Sequence, residues 1–153
     1  MPRRALSAIE MVILLAAALG VGWLGARLHR QLWHAAQLYE YRSTMRTLEY
    51  TMQGMRAQAM AKRRTVQLRV NASLGAFELS TLEESPSPYE ILDRTIWLPQ
   101  GLEISEAPQV LKAFPSGRFS SGMIVVGAPS YNRLFRLITQ ESGVVRLDEE
   151  STL

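Results

Sequence analysis

Residues 1–27 read MPRRALSAIEMVILLAAALGVGWLGAR, and the placement of this stretch decides how the rest of the chain is read. Met11 to Ala26 is a run of sixteen residues without a charge. As a helix rising ~1.5 Å per residue it covers roughly 24 Å, short of a hydrocarbon layer of about 30 Å. A helix starting at Leu6 has twenty-one residues by Ala26 and covers about 31 Å, which spans. That start puts Glu10 inside the apolar layer, about 6 Å from the helix end. A charge at mid-membrane costs ~2.5–3.5 kcal/mol, less near the boundary, and is normally held by a partner. The plainer alternative is a frayed edge where Glu10 reaches back to the headgroups. A removable secretory signal fits less well. Arg3 and Arg4 supply a basic start, but Glu10 interrupts the apolar stretch and no small-x-small site precedes the polar part. Arginines flank both ends (Arg3 and Arg4, then Arg27 and Arg30), so charge alone leaves orientation open.

Moving outward, Leu28 to Arg64 contains no proline and only Gly54 as glycine. Leu38, Met45, Leu48, Met52, Met55 and Ala59 recur at separations of seven, three, four, three and four, which marks one face of a long amphipathic helix. Arg42, Arg46, Glu49, Gln53 and Arg56 fall on the other side. The apolar stripe predicts a helix packed on whatever follows. Between Arg27 and Arg64 stand eight basic residues against Glu40 and Glu49, read by default as a solvated face near lipid phosphates. Lys62, Arg63 and Arg64 close the helix, where cations suit the dipole.

Past Arg64 the period becomes two. In TVQLRV, Val66, Leu68 and Val70 alternate with polar residues, AFELST repeats the pattern, and Asn71–Gly75 supplies the turn between them. EESPSPYE reads as a loop on its two prolines. TIWLPQGLEIS reads as strand, turn and strand. Val110 to Phe114 is a further strand, Pro115-Ser116-Gly117 a turn, Met123 to Val126 an apolar strand, and the end a hairpin turning near Ser142-Gly143. Short strands after one long helix predict an α+β fold, with the helix covering an antiparallel β-sheet domain.

Two sets of residues carry a family resemblance. Arg3 and Arg4, the small Ala5, then Leu6-Ser7-Ala8-Ile9 and Glu10 heading a hydrophobic helix resemble a type IV prepilin signal, with alanine and leucine at Ala5 and Leu6 where that family usually has glycine and often phenylalanine or methionine. WLPQGLEI, FPSGRFSSG and FRLITQESGVVRL, in that order, resemble the C-terminal domain of GspH/FimT-type minor pilins and pseudopilins. The resemblance implies a pilin-like fold with residues 1–5 as leader, 6–64 as N-terminal helix (6–26 transmembrane, 27–64 amphipathic) and 65–153 as β domain. It implies cleavage between Ala5 and Leu6 by a prepilin peptidase, which also methylates the Leu6 amine. Glu10 would pair with the N-terminal amine of a neighbouring subunit and set register, a use that offsets the cost of an intramembrane carboxylate. The partners implied are other pseudopilins or pilins and the peptidase. The place implied is the inner membrane, single-pass, with the C-terminal domain periplasmic.

Some FimT-like pilins bind DNA through a Gly-Arg-x-Arg stretch in the last hairpin. Here the positions hold Gly143, Val144, Val145 and Arg146, followed by Asp148, Glu149 and Glu150. Each neutralised phosphate adds affinity, so nucleic acid is set aside as a partner. With no cysteine among 153 residues, disulfides and thiolate chemistry are excluded, and the net charge of +3 identifies no partner. His29 and His34 stand five apart with only Glu40 nearby, the serines lie in no Gly-x-Ser-x-Gly elbow, and Glu83-Glu84 sits in a loop signal. No catalytic residue, metal or cofactor is expected. The function implied is a minor pseudopilin of a type II secretion pseudopilus. A minor pilin of a type IV pilus and an unprocessed membrane-anchored interaction domain are the alternatives, with a basic-helix nucleic-acid binder as a rival from another class.

Overall fold

The structure, a computed structural model, describes residues 8–83 and 89–151. The chain divides into two units, Met1–Tyr39 and Glu40–Leu153. Among the described residues one α-helix, α1 (Ala8–Lys62), is followed by eight strands: β1 (Val66–Asn71), β2 (Ala76–Glu83), β3 (Tyr89–Trp97), β4 (Glu103–Glu106), β5 (Val110–Ala113), β6 (Gly122–Ala128), β7 (Arg133–Thr139) and β8 (Val145–Ser151). This is the α+β layout that the switch from helical to alternating period predicts.

The helix stops for a local reason. Arg64 N–H donates to the Ala59 carbonyl at 3.1 Å and Arg63 N–H to that of Met60 at 3.4 Å, the paired bonds of a Schellman cap. The cap needs a left-handed residue, and Arg63 supplies it at φ +54°. Upstream, Met45, Leu48, Met52, Met55 and Ala59 are fully buried, so the stripe is core. Each large side chain among them contributes ~1.5–3 kcal/mol on burial. Tyr41 fills the seven-residue gap between Leu38 and Met45 in the stripe and is 3% exposed. Its hydroxyl donates to the Gln100 carbonyl at 2.8 Å, and its ring meets Tyr131 edge-on at 5.6 Å.

The antiparallel β domain that the sequence predicts is built of two sheets. One has the order β3-β2-β1-β5 and the other β4-β6-β7-β8, all pairs antiparallel. Phe77, Leu79, Leu111, Ile124, Val126, Phe135 and Leu137 share one core with the helix stripe. The Pro-Gln-Gly turn therefore joins strands of different sheets and closes no hairpin. Gly101 there has φ +91°, and a Cβ on it would collide with Tyr41 Oη. The other difference is at EESPSPYE. Residues 84–88 lie outside the described residues, but Tyr89 and Glu90 open β3 and are no part of a loop. A bulge opposite Leu79 and Ser80 breaks the alternation of this strand, which hid it from a period-two reading.

Candidate functional site

In the unit Met1–Tyr39, α1 carries a stretch long and apolar enough to cross a membrane by length and composition. Ile9, Val12, Ile13, Leu15, Leu19 and Val21 are all exposed, which suits a lipid or protein surround better than water. Glu10 lies in the first turn of α1, so the structure puts its carboxylate at the head of this apolar stretch. The guanidinium of Arg27 sits over the Trp23 ring at 5.5 Å, a pairing typical of the headgroup region. Ala5 and Leu6, the expected cleavage and methylation positions, lie outside the described residues.

In the unit Glu40–Leu153 the polar chemistry ties elements together. Arg42 Nε and Nη2 donate to Glu149 Oε2 and Oε1 at 2.9 and 2.8 Å, and Arg133 stands 3.6 Å from the same carboxylate. The Arg42 hydrogen bond holds the Glu149 carboxyl below the usual range, with the charges of Arg42, Arg133 and Arg46 adding to it against some desolvation. Arg42, Arg46 and Glu49 of α1 face Phe135, Leu147 and Glu149 across a pocket of about 400 Å³. Arg42, 45% exposed, thus makes its helix–strand tie from the solvated face of α1. The acids of the last strand are likewise engaged: Glu150 pairs with Arg136 at 2.6 Å and Asp148 with Arg146 at 2.6 Å. Of the expected hairpin residues, Gly143 forms the turn and Arg146 is occupied by that aspartate.

On the other sheet, two exposed carboxylates of β3 bond across to side chains of neighbouring elements. Glu90 accepts from Ser80, Gln67 and Arg69. The Ser80 bond leads the causes that hold its carboxyl below the usual range. Asp93 accepts from Thr81 and stands 3.9 Å from Lys62 Nζ. Among the described residues every buried side-chain nitrogen or oxygen has a hydrogen-bond partner. No group of three His, Asp or Glu among them could hold a metal ion.

No protein-family model and no curated protein matches the chain. Solved structures do match. The minor pseudopilin EpsH from the type 2 secretion system of Vibrio cholerae superposes with a TM-score of 0.60 at 16% identity, over 71% of this chain and 96% of that one. A second structure of EpsH gives 0.57 at 14% identity, over 71% and 95%. The type IV minor pilin FimU of Pseudomonas aeruginosa gives 0.58 at 14% identity, over 73% and 90%. The chain has the minor-pilin fold.

Within that minor-pilin fold, three contacts escaped the sequence reading for different reasons. Tyr41 was legible, because it stands three residues after Leu38 and four before Met45 and so completes the three-four spacing. The Arg42–Glu149 tie was not, since its partners are 107 positions apart and no local pattern joins them. Arg56 is a third case. It lies against both Gly117 and Gly143, and only the fold brings those two turns onto the helix.

Proposed function

We propose that this chain is a minor pseudopilin, a structural subunit of a type II secretion pseudopilus anchored in the inner membrane with its C-terminal domain in the periplasm. One observation carries the reading: Glu10 heads an apolar stretch of membrane length, and the same chain carries a minor-pilin fold. In this reading a prepilin peptidase cuts between Ala5 and Leu6 and methylates Leu6. The apolar helix then packs among those of other subunits, and Glu10 takes a neighbour's N-terminal amine as its counter-ion, fixing axial register. The role is structural, with no catalytic residue assigned. The likeness to FimU supports a second reading, a minor pilin of a type IV pilus, which shares the same processing and assembly chemistry.

Intact-mass spectrometry of the protein from its own membrane tests the proposal. The expected mass is that of a chain beginning at Leu6 with one added methyl group. A chain retaining residues 2–5 would overturn the processing and leave an unprocessed membrane-anchored interaction domain. Deleting secretion genes or pilus genes and following the mature chain into sheared filaments separates the two machines.

A further inference from the structure

Within the unit Met1–Tyr39 the charges of α1 are few and sharply placed. No Asp or Glu stands between Glu10 and Glu40, and Arg27 and Arg30 are the only Lys or Arg there. Glu10 comes seventeen residues before Arg27 and Glu40 ten after Arg30, roughly 26 and 15 Å along a helix. Neither acid is within reach of the arginine pair along α1.

Trp23, Arg27 and Arg30 follow one another at separations of four and three, which sets them within an arc of about 60° on one helix face. All three are exposed. The Arg27 guanidinium lies over the Trp23 ring at 5.5 Å, and a stacked guanidinium keeps its in-plane N–H donors for a further ligand. One turn nearer the N-terminus the same face is apolar. Leu19 is 67% exposed there, and a Cβ on Gly20 would meet nothing within 4 Å. Within a few residues the face passes from apolar ground to an aromatic ring to two cations. With Leu6 at one edge of the hydrocarbon layer, Arg27 comes about 32 Å along the axis, at the other edge. Arg30 lies ~4.5 Å beyond it, inside a headgroup layer of roughly 5–7 Å.

We propose that this face binds one anionic phospholipid of the periplasmic leaflet, its phosphate on Arg27 and Arg30 and its acyl chain along Trp23 and Leu19. The inference rests on the pilin reading for the membrane and the leaflet, and adds to it a lipid partner that fixes the depth of the subunit before assembly. The order of groups along the helix selects this occupant. A free phosphate uses the cations and leaves the apolar half bare. An apolar helix covers that half and leaves two arginines without a counter-ion. A zwitterionic lipid brings its own ammonium to a site that already holds two positive charges.

The test reconstitutes the full chain in phosphatidylcholine vesicles, with Trp33→Phe and Trp97→Phe so that Trp23 alone emits. A lipid brominated near the glycerol end of its acyl chains quenches that emission on contact. Brominated phosphatidylglycerol should reach half-quenching at about one-tenth of the mole fraction that brominated phosphatidylcholine needs. Arg27→Gln with Arg30→Gln should abolish the preference and leave quenching by the phosphatidylcholine probe unchanged, the sign that the helix is still inserted. Arg27→Lys with Arg30→Lys should keep part of it. Equal quenching by the two lipids overturns the lipid site and leaves the pilin reading standing, since that reading is tested by the mass of the mature chain. A preference that survives the double glutamine change overturns the site. So does one that inorganic phosphate removes and sodium chloride of equal ionic strength does not. A Trp23 quenched by neither lipid lies outside the bilayer, and overturns both the site and the membrane placement beneath it.

Discussion

At Glu149, one carboxylate receives both arms of the Arg42 fork and the approach of Arg133. Its folded pKa lies below the unfolded value, as does that of Glu90. The stabilisation is therefore complete above the unfolded value of about 4.3 and is lost as pH falls through the folded one. Glu149→Gln should lower stability at neutral pH by about 1 kcal/mol, and the gap to the unaltered protein should close on acidification below about pH 4. Urea melts at both pH values measure it. Gly143→Ala should cost ~1–2 kcal/mol, because an alanine must hold a left-handed backbone and displace Arg56; the same melts read it. Legibility at this scale was uneven. Glu10 stood out because a charge in an apolar run is anomalous by itself. Glu149 gave no such sign: among Asp148 and Glu150 it looked like one more surface acid, and only the return of the last strand to α1 makes it a tie.

Among the elements, α1 was the most legible, since an uninterrupted three-four spacing admits few other readings. Met52 sits mid-stripe and fully buried, so Met52→Ala should destabilise the unit by ~2–5 kcal/mol, seen as a lowered urea midpoint. The cap makes a prediction of opposite sign. Arg63 holds the left-handed position that glycine fills without steric cost, and Arg63→Gly should raise stability by about 0.5–1 kcal/mol in the same measurement. Strand β3 was legible only in its last third. Its ladder with β2 is interrupted by the bulge, and Asp93 and Arg94 fall where a simple alternation would change face.

For the whole molecule, the order of helix and strands was enough to read the α+β class, while the division into two sheets was not. Which strand pairs with which is set by contacts far apart in sequence: β1 takes β5 as a neighbour across the whole of β2 to β4, and nothing near either strand announces it. Since residues 40–153 form a unit of their own, a fragment of residues 28–153 should be soluble without detergent and unfold in a single transition, followed by circular dichroism.

The order of strands also sets a timetable. β4 belongs to the second sheet but precedes β5, the last strand of the first. During synthesis, a chain emerged as far as Ala113 holds every strand of the first sheet while β4 still waits for β6. The second sheet closes only when Ser151 arrives. At roughly 5–20 residues per second that interval lasts about 2–8 s. Through it, Phe77, Leu79 and Leu111 face the place where Phe135 and Leu137 have yet to come. In those seconds the nascent chain is most open to a chaperone, and most at risk of sticking to another copy.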